Sequence, residues 1–141
     1  MAQEALTFVD TNVLVYAHDR SEAVKQPVAA ALLESLWESR TGTLSTQVLQ
    51  EFYVVVTRKF DPPMRRRDAR GVVAAYGEWQ VVRVDVPMIV ASSQLEERHG
   101  LALWDALIIE AARLAGARRL LSEDLQSGRR VAGVRIENPF A

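Results

Sequence analysis

Thr7-Phe8-Val9 reads as a buried strand that runs straight into Asp10, then Thr11-Asn12 and a second apolar run. A core strand ending on a carboxylate has two readings. Asp10 is a good N-cap for a short helix over "NVLVYAH", or its oxygens serve a ligand at the strand end. Glu51, in "TQVLQEFYVVV", borders a helical apolar stripe of Val48, Leu49, Phe52, Tyr53, Val56 and Phe60. Gln47, Val48, Val54 and Val55 lie three and four positions away, so the usual helical ion pair is absent. The plain reading is a rim glutamate whose stem covers the core. Asp105 shares a helical face with Ile108, Ile109 and Ala112, with Glu110 and Arg113 on the polar side. A carboxylate on a buried face is costly unless paired or bound to a metal; the alternative is a first-turn aspartate facing orphan N–H groups. Asp124 follows the strand-like "RRLLSE" and is either a turn residue or a fourth carboxylate at a strand end. Ser122 either holds a neighbouring carboxylate or is an ordinary strand-end serine.

Gathered at one end of a sheet, four carboxylates would repel one another until some protonated. A divalent cation removes that conflict. All-oxygen ligation suits Mg2+ or Mn2+ rather than zinc, and a water held by such an ion is a natural nucleophile for a phosphodiester. Two ions roughly 3.5–4 Å apart would clamp the attacking and leaving oxygens.

The elements that must bring these residues together alternate. Strands are expected over Leu6–Asp10, "GTLS", "QVVRV", "RRLLSE" and "GVRIEN", the last at an edge. Between them fall helices over "NVLVYAH", "SEAVKQPVAAALLESLWESR", "TQVLQEFYVVVTRKF", "RRRDARGVVAAYGEW", "DVPMIVASSQLEERHG" and "LWDALIIEAARLAG". Pro27 fits a first turn, Asp61-Pro62-Pro63 stops one helix, and Asp85 and Gly100 cap another. The pattern is that of an α/β fold, a three-layer sandwich around a mainly parallel sheet of about five strands. Ligands of such sheets bind outside the carboxyl ends of the strands, where Asp10 and Asp124 are expected.

The 141 residues suit one domain, spanning residues 1–141, with no repeat or linker. The formal charge of −1 gives no whole-molecule field for a polyanion, so any such partner must meet local patches: Arg58-Lys59, Arg65–Arg67, Arg118-Arg119 and Arg129-Arg130. Cysteine is absent, which excludes disulfides, thiolate zinc sites and cysteine nucleophiles. No signal peptide or membrane-length apolar run is evident, and elimination points to the cytoplasm. An aspartyl-phosphate phosphatase would want an acid where Asn12 stands, and a receiver domain leaves Glu51 without a role. Gly128 and Gly133 have a phosphate-loop gap, but Val134 replaces the lysine; no nucleophile elbow is present. His18 and His99 read as surface or capping residues, and Trp37, Trp79 and Trp104 as packing residues.

The four acidic segments together resemble the motifs of the PIN-domain family, most of all its VapC-type toxin ribonucleases from bacterial toxin–antitoxin pairs. The resemblance covers nearly the whole chain. "FVDTNVLVY" resembles the opening motif, with Asp10 as first ligand and Asn12 in support. "STQVLQEF" is similar to the family's Ser/Thr…Glu segment through Ser45 and Glu51, "LWDALIIEAA" to its third acidic motif through Asp105, and "LLSEDLQ" to its Ser/Thr-x-Asp ending through Ser122 and Asp124. Leu125 and Gln126 stand where the family often carries a further acid, a departure that bears on a second ion. The resemblance implies metal-dependent endonucleolytic cleavage of RNA, with Asp10, Glu51, Asp105 and Asp124 holding Mg2+ or Mn2+. Thr11, Asn12, Ser45 and Ser122 would position ligands or phosphate. It also implies a homodimer and a cognate antitoxin across the groove. Arg118, Arg119, Arg129 and Arg130 are candidates for RNA phosphates, against the plain reading of a solvated face. A PIN-like binding module without turnover and a housekeeping RNA-processing nuclease are the alternatives.

Overall fold

The computed structural model describes residues 5–141. In chain order the elements are β1 (Leu6–Val9), α1 (Thr11–Ala17), α2 (Lys25–Ser39), β2 (Gly42–Ser45), α3 (Thr46–Arg58), α4 (Arg66–Tyr76), β3 (Gln80–Val82), α5 (Val86–His99), α6 (Leu103–Leu114), β4 (Ala117–Leu121), β5 (Arg130–Val131) and β6 (Val134–Glu137). The sheet has the order β3-β2-β1-β4-β6-β5, and every pairing is parallel except β5 with β6. The α/β sandwich is therefore as expected, with a sixth strand added. "GVRIEN" forms β6, but it lies one place inside the edge. The edge is β5, which turns into β6 through Ala132 and Gly133, both at positive φ. That two-residue connection suits the twist of a hairpin.

The order of strand addition reverses between β1 and β4: β2 and β3 lie to one side of β1, β4 and β6 to the other. Such a switch point opens a crevice at the carboxyl ends of the two strands. Phe8 and Val9 of β1 and Leu120 and Leu121 of β4 are buried, so the strands that frame the crevice are anchored in the core. On one side α6 crosses β2, β4 and β6 with α5 packed against it; α1 packs on α2 and α3, and α3 on α4. Asp85 caps α5 by accepting from the Met88 N–H at 3.0 Å, and Gly100 ends it in the left-handed region, as the sequence requires. Among the described residues no helix is long and apolar enough to cross a membrane.

One packing point is steric. Gly42 in β2 lies against the indole of Trp79, and a Cβ there would sit 2.5–2.8 Å from three ring carbons. Trp79 is itself wedged edge-on against Trp37 and Tyr76. Gly42→Ala is expected to destabilise the fold by about 2 kcal/mol, the usual scale of overpacking, measured by urea denaturation; an unchanged midpoint would mean that the ring slides away freely.

Candidate metal centre at the strand ends

Asp10 caps α1 with one oxygen, as its structural reading expects. Its Oδ1 accepts the Thr11 N–H at 2.7 Å, capping α1. Its Oδ2 accepts the Ser122 hydroxyl at 2.7 Å and lies 3.5 Å from Asn12 Nδ2. The cap thus uses one oxygen and leaves the other turned toward β4. Asp10 is only 7% exposed. Burial drives its pKa up to about 6, against the pull of the Ser122 and Thr11 hydrogen bonds, and the charges of Asp124 and Glu51 push it the same way. Ser122, fully buried, also receives the N–H groups of Asp124 and Leu125 at 3.2 and 3.4 Å, which fixes the loop after β4.

Asn12 joins the two strand ends. Its Nδ2 donates to Asp124 Oδ2 at 3.1 Å and to Ser122 Oγ at 3.4 Å, while its Oδ1 accepts the Glu123 N–H at 3.1 Å. Thr11 reaches the other way and donates its hydroxyl to Glu51 Oε2 at 2.8 Å. The dipeptide after Asp10 therefore carries hydrogen bonds to both α3 and the β4 loop.

Asp105 lies in the first turn of α6, half-buried, as its structural reading proposed. Its pKa is nevertheless raised, first by burial and then by Asp124 and Glu51. Asp10, Glu51, Asp105 and Asp124 thus share one electrostatic neighbourhood. Ser45 is buried and caps α3 by accepting the Val48 N–H at 3.4 Å; it orients the helix that carries Glu51 and makes no hydrogen bond to a carboxylate among the described residues.

Two expectations around this end are corrected. Glu110 is not on a polar face: it is 3% exposed and forms an ion pair with Arg113. The burial of α6 runs unbroken from Ala106 to Ala112 because α5 and the sheet cover it from different sides. Trp104 does not pack in the core; it is 65% exposed beside Asp105.

Gln47 was named above only as a neighbour without charge. It is buried, and its Nε2 donates to Glu51 Oε1 at 3.1 Å and to the Trp104 carbonyl at 3.3 Å. It ties Glu51 to the first turn that bears Asp105, and its Oε1 is buried without a partner among the described residues. Its position four residues before Glu51 was the available signal, since a Gln–acid pair at that spacing hydrogen-bonds. Glu123, next to Asp124, turns away instead: its Oε1 pairs with Lys25 Nζ at 2.6 Å, a lysine that also lies over the Tyr16 ring. That pair holds its carboxyl below the usual range and pins the β4 loop to α2.

The donor set fits a hard divalent cation. It consists of carboxylate, amide and hydroxyl oxygens, and none of the four acids forms an ion pair with a Lys or Arg among the described residues. No three carboxylates among the described residues are already drawn to metal-ligating distance of one another. Glu51 is held by Thr11 and Gln47, and Asp124 by Asn12.

Among solved structures, a toxin–antitoxin complex from Klebsiella pneumoniae matches with a TM-score of 0.70 and 19% identity over 95% of this chain and 98% of that one. DNA-bound VapBC from Salmonella typhimurium matches at 0.66 and 17% over 96% and 99%. A sarcin-ricin loop cleaving VapC toxin of Mycobacterium tuberculosis matches at 0.64 and 20% over 81% and 86%. These likenesses establish a shared fold. No curated protein matches the chain in sequence. The family model of the PIN domain matches residues 7–133, nearly the full span from β1 to the β5–β6 turn, and the chain belongs to the PIN-domain family.

Proposed function

We propose that this chain, as a single PIN-like domain over residues 1–141, is a divalent-metal-dependent endoribonuclease of the cytoplasm and the toxin of a toxin–antitoxin pair. The carrying observation is the shared electrostatic neighbourhood of Asp10, Glu51, Asp105 and Asp124 at the β1/β4 crevice, with two carboxyls pushed up and no ion-paired Lys or Arg among the described residues. The proposal has Asp10, Glu51, Asp105 and Asp124 hold Mg2+ or Mn2+, which when bound would polarise the scissile phosphate and acidify a water. Asn12 and Ser122 fix the Asp10 and Asp124 carboxyls relative to each other, and Thr11 does the same for Glu51. Ser45 acts through the axis of α3. Family membership and the toxin–antitoxin complexes among the structural relatives support an antitoxin partner; the proposal also includes a homodimer.

Purified protein with labelled RNA tests it. Cleavage should appear with Mn2+ or Mg2+ and vanish with EDTA. RNA that binds without metal and remains uncut would favour a PIN-like module without turnover; intact growth on expression alongside specific precursor trimming would favour a housekeeping nuclease. Gln47→Leu sharpens the site assignment. It removes the hold on Glu51 together with an unpartnered buried oxygen, so stability should stay within about 1 kcal/mol while kcat/KM falls roughly 10-fold or more, the scale for residues that orient ligands. Equal kcat/KM would mean that Glu51 needs no such support.

A further inference from the structure

At the opposite end of the strands lies a cavity of about 850 Å3 lined by arginines. Its floor is a transverse row set by strand register. Thr7 of β1 is paired with Arg119 of β4, Arg119 with Arg135 of β6, and Arg135 with Arg130 of β5. Register partners point to the same face, on strands ~4.8 Å apart, so three guanidinium groups stand side by side. Like charges in that relation destabilise a sheet. Glu137 is the carboxylate that lines the cavity; Arg119 pairs with it at 3.3 Å and Arg135 at 3.5 Å. Arg119 also donates through Nε to Thr7 Oγ1 at 2.8 Å. Two forks are thus held in place, while Arg130, with Arg118 at the rim, forms no ion pair among the described residues. The facing wall adds hydroxyls from Ser35, Ser39 and Thr41.

We propose that this arginine row is a second phosphate-binding site that takes the backbone of the RNA substrate away from the carboxylates. The proposal rests on the ribonuclease reading above. Guanidinium forks and hydroxyls match phosphate oxygens in number and kind. An acidic protein segment would bring apolar anchors needing pockets, and among the described residues this lining offers only Ala5 and Leu36 as apolar side chains. The row crosses the sheet two residues before the ends of β1, β4 and β6, and Thr7 lies about 10 Å along β1 from Asp10, a separation that a 20-nucleotide RNA exceeds. A chain of net charge −1 needs such a local patch to hold a polyanion. Arg129, grouped with these residues by sequence alone, instead donates to the His99 carbonyl and stands outside the cavity.

The test is RNA binding by the full chain in EDTA, followed by fluorescence anisotropy of a labelled 20-nucleotide RNA over a salt series. Arg130→Gln/Arg135→Gln should raise Kd about 10-fold or more and flatten the slope of log K against log salt by roughly 1.4, near 0.7 for each lost phosphate contact. Cleavage of a tetranucleotide, too short to span both places, should be unchanged with Mn2+, whereas cleavage of the 20-mer should fall. If the double variant melts low, Arg130→Gln alone carries the test, because that side chain is exposed and forms no ion pair among the described residues. Unchanged affinity and salt slope in a variant that still cleaves RNA would overturn the site and leave the ribonuclease reading standing. Wild-type protein that neither binds nor cuts RNA would overturn both. Tighter capture of ADP or of a poly-glutamate peptide than of RNA, lost in the variant, would overturn the RNA assignment in favour of a nucleotide or an acidic protein.

Discussion

Asp10→Asn is expected to abolish RNA cleavage and, at neutral pH, to make the metal-free protein more stable. The two effects share a cause. The Asp10 carboxyl has a pKa near 6 in the fold, against an ordinary 3.8. Below about pH 4 the group is protonated in both folded and unfolded chains and contributes nothing. As pH rises from about 4 to about 6 the unfolded chain releases the proton and the folded chain keeps it, so stability falls with rising pH. Above that range the loss is constant, at roughly 2–3 kcal/mol for a shift of about two pKa units. Asparagine cannot ionise, still accepts the Thr11 N–H through its carbonyl, and can give its amide to Ser122 Oγ. Urea melts in EDTA should therefore show wild type losing stability between pH 4.5 and 7 and Asp10→Asn staying flatter and higher at pH 7. Cleavage should fall at least ~100-fold, more than the loss from a residue that only orients a ligand. Cleavage at wild-type rate would remove Asp10 from the proposed centre. A variant less stable than wild type at pH 7 would mean that the carboxylate is already neutralised from within the protein.

The fold was legible wherever a boundary residue has a single job. Asp85 and Gly100 bracket α5 because caps act locally, and "GTLS" forms β2 as expected. What escaped was set by tertiary cover. Two residues are too few for β5 to carry a strand period, yet its pairing moves β6 inward from the edge. Glu110 is polar by residue type, and its burial comes from the cover that α5 and the sheet give to α6. Trp104 is apolar and exposed because it sits at the mouth of the crevice, where α6 begins and nothing else among the described residues packs over it. At the site itself, strand-end placement made Asp10 and Asp124 readable. Their division of labour was not. Asp10 is cap and candidate ligand at once, so weighing one role against the other posed a choice that the carboxyl's two oxygens dissolve. Gln47 was missed because its role depends on the Trp104 carbonyl, fifty-seven residues away.

Asn12 offers the sharpest way to separate a metal centre from a set of hydrogen-bonded acids. Its amide nitrogen is the donor that faces Asp10, Ser122 and Asp124 together, at 3.5, 3.4 and 3.1 Å. Asn12→Asp keeps the shape and the acceptor for the Glu123 N–H, but replaces that donor with an oxygen of a fifth carboxylate. Without metal at pH 7, repulsion and a lost charge-assisted hydrogen bond should cost about 2–3 kcal/mol. Asn12→Ala removes the donor without adding charge and should cost less, about 1–2 kcal/mol. Millimolar Mg2+ then distinguishes the readings. A bound ion stabilises by about 2.7 kcal/mol at a hundred times its Kd, and a further carboxylate favours binding, so Mg2+ should restore Asn12→Asp to a greater extent than Asn12→Ala. Urea melts of the three proteins with and without MgCl2 measure this directly, independent of any substrate. If Mg2+ leaves all three midpoints unmoved, the carboxylates at the β1/β4 crevice hold no cation, and the repulsion they carry would have to serve something other than metal-dependent hydrolysis.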